Sequence, residues 1–227
     1  MLLAIDTSTA VASVALFAEG VLAEHSWRSG QNQTRQLLPR IEGLLDEVGA
    51  RVADLTAVGV ALGPGSFNGL RVGLATAKML GFGLGLPLIG IGTLEATAYQ
   101  HRDAGMLIRP IYAAGRGQIA TAFYSVSGGA LREVEPPRLA DLVEVAGPLA
   151  EPVFFCGEIE ESWAAEIFRL AGPLARFASP AGALRRAGCL AELAWRRWQE
   201  GQVADLSAIQ PIYLRRPPVL ERATVGE

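Results

Sequence analysis

The chain has 227 residues, 50% of them hydrophobic and only 19% charged, against about 25% charge in an ordinary soluble chain; its mean hydropathy is +0.28. Net charge is −3 and the densest basic clusters are the pairs Arg185-Arg186, Arg196-Arg197 and Arg215-Arg216, so the chain lacks the basic face expected of autonomous nucleic-acid binding. The uncharged run over residues 79–94, which no other run exceeds, is broken by five glycines and Pro87 and falls short of the roughly 20 residues of a membrane span, so the apolar excess is expected at a contact between subunits.

The first residues, 2–5, form an apolar strand with no basic stretch or cleavage site before it, which predicts a cytoplasmic chain. That strand ends in the polar turn Asp6-Thr7-Ser8-Thr9. Residues 11–17 and 20–27 read as strands joined across Glu19-Gly20. From 32 to 48 the period changes: Leu37, Leu38, Ile41, Leu44, Leu45 and Val48 fall at helical spacing, with Gly49 as the stop. Pro39 inside that pattern predicts a kink or a late start. A buried strand at 56–62 leads through Gly63-Pro64-Gly65 into a helix over 68–83, then a strand at 87–91 and a helix at 93–103. The second half restates this order more loosely. Strands are expected at 107–113, 118–126 and 130–135, then a helix at 139–149, a strand at 152–156 and helices at 159–171 and 183–200. The pattern predicts a duplicated α/β unit with one boundary near 101–106: an N-terminal subdomain over 1–103, a C-terminal one over 104–217 and a flexible tail at 218–227.

Few residues could carry chemistry. His25 and His101 form no pair able to hold a metal on one helical face. Cys156 and Cys189 lack metal-ligand spacing and fit small apolar residues of a reduced protein. Ser66 lacks the flanking glycines of a nucleophile elbow and reads as a helix N-cap. Asn68 stands where a dinucleotide fingerprint needs glycine. Asp6, Thr7 and Ser8 resemble the first phosphate loop of actin-like ATPases, in which a carboxylate positions metal-bound water and turn amides face phosphate; the plainer alternative is a turn bonding its own backbone. The matching turn of the second half, residues 112–117, has no carboxylate, so half of such a clamp is missing and no cofactor or metal is expected. An actin-fold ATPase or small-molecule kinase with nucleotide near Asp6 stays as the alternative.

Gly69, Gly73, Ala77, Gly81 and Gly85 recur at every fourth residue of the second helix and share one face. Each glycine within a helix costs up to about 1 kcal/mol against alanine, so another backbone must approach closely. Either the chain's own sheet or first helix, or a second chain, could supply it. With Leu37, Ile41 and the exposed charge of Arg71, the residues Gly69, Gly73, Ala77 and Gly81 form the expected interface.

Residues 3–8, Thr34-Arg35-Gln36-Leu37-Leu38-Pro39, the block 63–73 (GPGSFNGLRVG), residues 87–91 and Pro211-Ile212-Tyr213-Leu214-Arg215 together resemble the TsaB family, also called YeaZ. The resemblance spans nearly the whole chain and is most specific over the first hundred residues. It implies an actin-like (ASKHA, ribonuclease H-like) fold and a non-catalytic subunit that binds a TsaD-like catalytic subunit and a TsaE-like P-loop ATPase. Such a complex makes threonylcarbamoyladenosine in tRNA next to the anticodon. It also implies a homodimer through the same face, tRNA contact only through the complex, and no peptidase activity. The chain departs from the family pattern at Asn68, where threonine is usual, and at Ala114, where aspartate is usual.

Overall fold

The computed structural model describes residues 1–30 and 32–215; the tail expected at 218–227 lies outside them. The chain opens with three antiparallel neighbours, β1 (Leu2–Asp6), β2 (Val11–Phe17) and β3 (Val21–Arg28). There follow α1 (Gln33–Glu47), β4 (Ala57–Gly63), α2 (Phe67–Leu84), β5 (Leu88–Gly92) and α3 (Thr93–Gln100). The sheet order is β3-β2-β1-β4-β5, with β4 parallel to β1 and to β5. A second set follows: β6 (Leu107–Ala113), β7 (Ile119–Ser127), β8 (Ala130–Ala140), α4 (Leu142–Ala146), β9 (Val153–Gly157), α5 (Glu161–Ala171) and β10 (Ala175–Phe177). Its order, β10-β9-β6-β7-β8, is the first order read from the other edge and counted from its own first strand. The fold is therefore the duplicated, actin-like α/β arrangement, two mixed sheets flanked by helices.

Several boundaries differ from the sequence reading. Helix α1 starts at Gln33 and runs through Pro39, so there is no late start. Strand β8 continues to Ala140 through Pro136 and Pro137 and shortens the helix expected at 139–149 to Leu142–Ala146. As the edge of its sheet, β8 tolerates prolines that cannot donate to a ladder, and the register shifts opposite them.

Burial explains how the layers stack. In β1 the side chains alternate: Leu3 and Ile5 face a core made with Leu37, Ile41 and Leu44 of α1 and Leu74, Ala77 and Leu80 of α2. Leu2 and Ala4 face the opposite core, since successive strand residues point to opposite faces. That second core is closed by α6 (Ala187–Gln199), through Ala187, Leu190, Ala191 and Ala194. The last helix, expected with the C-terminal subdomain, thus packs on the first sheet. Helix α3 joins the two lobes, with Leu94 and Ala98 packed against Ile108, Tyr112 and Cys156 of the second sheet. Among the described residues no helix is long and apolar enough to cross a membrane.

The small-residue row of α2 faces inward. A Cβ on Gly69 would collide with the Thr7 carbonyl oxygen, and one on Gly73 with Thr7 Oγ1; Ala77 is fully buried. A Cβ on Gly81 would sit 2.7 Å from Leu206 Cδ2. The close neighbour that the glycines require is the chain's own: the end of β1 and the segment after α6. Leu37 and Ile41 are likewise core residues. Of the expected interface only Arg71 is exposed; Gly69, Gly73, Ala77, Gly81, Leu37 and Ile41 are spent on internal packing. Replacing Gly69 by alanine should therefore lower the stability of the isolated chain by about 1–3 kcal/mol, as overpacking does, with a matching fall in the denaturant midpoint.

Candidate functional site

The end of β1, the turn after it and the start of α2 form one hydrogen-bonded unit. Ser8 donates to Asp6 Oδ1 from both its backbone N (2.9 Å) and its Oγ (2.6 Å). The Thr7 hydroxyl donates to the Gly69 carbonyl at 2.7 Å, and Ser66 N donates to the Ser8 carbonyl at 2.6 Å. Gly63 precedes a cis Pro64 at φ 116°, a conformation open to glycine. There a Cβ would meet the Ile212 carbonyl at 2.6 Å. Ser66 caps α2, its Oγ accepting from Gly69 N at 3.3 Å, so the cap does not depend on Asn68, which is exposed.

The second carboxylate oxygen of Asp6 faces a residue that the sequence reading did not single out. Arg185 lies with its Nε 3.0 Å from Asp6 Oδ2, and both side chains are almost fully buried. Its Nη2 donates to the Val11 carbonyl at 2.6 Å, and its guanidinium stands over the Tyr112 ring, 5.5 Å from the centroid. The Nη1 atom is 3.5 Å from Glu158 Oε1, which also accepts from the Thr9 hydroxyl. Burial works against the Arg185 charge, but Asp6, Tyr112 and Glu158 more than offset it and raise its pKa. Tyr112 is itself pushed up by burial, and its hydroxyl is bonded to Thr97 Oγ1. Both oxygens of Asp6 are thus engaged by the chain itself. So are the Ser8 and Ser66 amides that a phosphate would need.

Across the crevice, the hairpin turn at 114–117 carries a left-handed Arg116, φ 55°, and Ala114 N donates to the Gln118 carbonyl at 2.8 Å. It holds no carboxylate. His25 bonds Glu47 at 2.8 Å. His101, at the end of α3, packs tilted against Phe154 with centroids 5.0 Å apart and leaves Nε2 buried without a partner. Burial lowers its pKa below the usual 6.5, with a weaker opposing pull from the Gly182 carbonyl. Cys156 is buried and Cys189 half-buried, and neither forms a disulfide. Burial pushes Cys156 up and Cys189 to about 11, so both are weak nucleophiles. Among the described residues no group of three His, Cys, Asp or Glu side chains could hold a metal ion.

Because the small face of α2 turns inward, its opposite face turns to solvent. Arg71, Ala75, Met79 and Phe82 succeed one another along it, at i, i+4 and i+3 steps that keep them on one side. Met79 is 52% and Phe82 64% exposed, and Leu38 of the neighbouring α1 is 43% exposed. Beside this row lies a groove of about 490 Å³ between Phe67, Arg71, Leu74 and Lys78 of α2 and residues 209–213. The rings of Phe67 and Tyr213 are 5.2 Å apart, and the Arg71 guanidinium lies over Phe67 at 5.0 Å. Lys78 is the only lysine of the chain.

Fold and site together define an actin-like duplicated protein in which the first-loop carboxylate is bound to the chain's own arginine and one helix shows an apolar outer face. A family model described as TsaD, tRNA N6-adenosine threonylcarbamoyltransferase, matches residues 20–173. The tRNA threonylcarbamoyladenosine biosynthesis protein TsaB of Bacillus subtilis is 33% identical over 218 residues, 94% of this chain and 93% of that one. Its Escherichia coli namesake is 38% identical over 97 residues, 43% of this chain and 42% of that one. The structure of YeaZ from Pseudomonas aeruginosa superposes with a TM-score of 0.80 at 27% identity, covering 94% of this chain and 99% of that one. The chain belongs to the TsaB family, within the wider TsaD-like group that the family model describes.

Two outcomes are expected from the buried charges. Asp6→Ala leaves the Arg185 charge in the interior without its nearest partner, and should cost about 3–5 kcal/mol of unfolding free energy without any ligand present; a carboxylate kept for a metal would cost little in ligand-free protein. His101 is neutral in the fold and has a folded pKa below its unfolded value, so the unfolded chain binds the extra proton. Its contribution to stability is therefore complete above about 6.5 and is lost as pH falls through and below that value. Thermal unfolding of the wild type and of His101→Gln across pH 5–8 checks this, the variant showing the shallower decline.

Proposed function

We propose that this chain is a docking subunit in the formation of threonylcarbamoyladenosine in tRNA. Its outer α2 face holds a TsaD-like catalytic subunit, and a TsaE-like ATPase joins that pair. In the absence of the partner the same face pairs two copies of the chain. The transfer chemistry belongs to the TsaD-like subunit, and tRNA is met through the complex, in the cytoplasm. This chain supplies surface and no reacting group.

The observation that carries this reading is the exposed row Ala75, Met79 and Phe82 on α2. Contiguous exposed apolar side chains on a chain with a complete core mark a binding surface. Arg71 and Lys78 flank the row and can pair with carboxylates at the rim of a partner, where charge sets orientation and encounter more than affinity. The names of the relatives, TsaB proteins of tRNA threonylcarbamoyladenosine biosynthesis, support the assignment to that pathway. A reaction at Asp6 is opposed by its engagement with Ser8 and Arg185.

Phe82→Asp puts a charge on the most exposed large apolar side chain of α2 without touching the core. It should weaken association with the TsaD-like protein of the same cell by about 2 kcal/mol or more, as loss of an aromatic anchor does. The isolated variant should stay folded, with the far-UV circular dichroism of the wild type. Sedimentation of the mixed proteins reads the first result. Acylation of Lys78, the sole lysine side chain, gives an independent readout: the partner should slow it. Undiminished association of the variant, together with unprotected Lys78, would place the contact elsewhere.

A further inference from the structure

Open α/β sheets keep their ligand crevice outside the carboxyl ends of the strands. In the first sheet that place is the end of β1, where Asp6 stands, facing the second lobe. It is filled by Arg185, which is 4% exposed and enters from the segment between β10 and α6. That segment is firmly held. Gln100 Nε2 donates to the carbonyls of Gly182 (2.8 Å) and Leu184 (3.0 Å). Ser26 Oγ donates to the Arg185 carbonyl at 3.3 Å, and Arg186 grips Glu24 through Nη2 at 2.8 Å.

The guanidinium meets both lobes at once. Asp6 and Val11 come from β1 and β2; Tyr112 comes from β6, and Glu158 from the turn after β9. Arginine suits this position because its charge does not titrate away and its planar fork can address several acceptors together. Of its three nitrogens only Nη2 makes an aligned hydrogen bond; Nε and Nη1 have none. They lie beside the carboxylates of Asp6 and Glu158, so at these atoms the guanidinium is held by charge more than by alignment.

We propose that Arg185 is a built-in ligand: its guanidinium occupies the crevice between the lobes and clasps the Asp6 carboxylate of one to the Glu158 carboxylate of the other. The lobes are thereby fixed as a single platform instead of opening and closing on an exchangeable ligand.

Removing the side chain in Arg185→Ala leaves two carboxylates around a space shaped by a guanidinium. The melting temperature of the variant should fall several degrees below that of the wild type. Guanidinium chloride at millimolar, non-denaturing concentration should restore part of that loss, whereas sodium chloride at equal concentration should not. The wild type should gain nothing from either. Equal effects of the two salts on the variant, or a melting temperature equal to the wild type's, would overturn the proposal. So would restoration by magnesium but not by guanidinium, since the place would then be a metal's. Arg185→Lys keeps the charge, loses the fork and covers the case in which the alanine variant does not fold. Its amides at Ser8, Ile159 and residues 181–186 should exchange about tenfold faster, as in a local opening, while those of α2 stay at wild-type rates. Unchanged exchange, or a rise spread evenly through the chain, would count against the clasp.

Discussion

The contact between α2 and the end of β1 sets the rest of the architecture. Gly69 and Gly73 let the helix come down onto Thr7 until no room is left for a Cβ, and the Thr7 hydroxyl donates into the helix at Gly69. Once that face is committed, the direction of every other side chain on α2 follows from the helical period. Leu74, Ala77 and Leu80 turn to the sheet, and Met79 and Phe82 turn to water. The same approach brings the Gly63-Pro64-Gly65 turn against Ser8, through the bond from Ser66 N. The docking face and the carboxylate turn are thus consequences of one piece of packing.

At the carboxylate, two effects compete. Burial of Asp6 and Arg185 costs desolvation of both charges, and a buried pair of this kind gives little net stability over apolar residues of the same volume. Its contribution is conditional: either member alone is costly. The pair therefore holds Asp6 in a fixed direction. With Oδ1 taken by Ser8 and Oδ2 by Arg185, the turn keeps the outline of a phosphate loop while its donors and acceptors are satisfied internally.

The first lobe was readable from the sequence because each change of period coincided with glycine or proline: Gly49 after α1, Gly63-Pro64-Gly65 before α2. The second lobe was less so. The strand expected to end at 135 continues through Pro136 and Pro137 to Ala140 because its position at a sheet edge tolerates them, and β10, three residues long, is too short to leave a periodic trace. At the site, spacing alone identified Gly69, Gly73, Ala77 and Gly81 as one face but could not say which polypeptide lies against it. It also drew attention from the opposite face, where Met79 and Phe82 stand between glycines. Arg185 escaped because its partners at Asp6 and Val11 are more than 170 positions away (174 for Val11). The available signal was the Arg185-Arg186 pair: a strictly neighbouring pair of arginines entering a helix can divide, one inward and one outward, as 4% and 57% side-chain exposure record.

The return of α6 to the first sheet has a consequence for the order in which the molecule can be made. Leu2, Ala4, Ala57, Ile89 and Ile91 are covered on one side by Leu190, Ala191 and Ala194, residues synthesised about a hundred or more positions later. Until α6 is made, that side of the first sheet has only the earlier part of this core against it, Ala96 and Tyr99 of α3. An exposed apolar sheet of this kind is prone to wrong pairing, and domains otherwise tend to complete themselves from the N-terminus as they emerge. Here that core is complete only with α6, so the first lobe depends on a helix made after the second although their strand orders repeat.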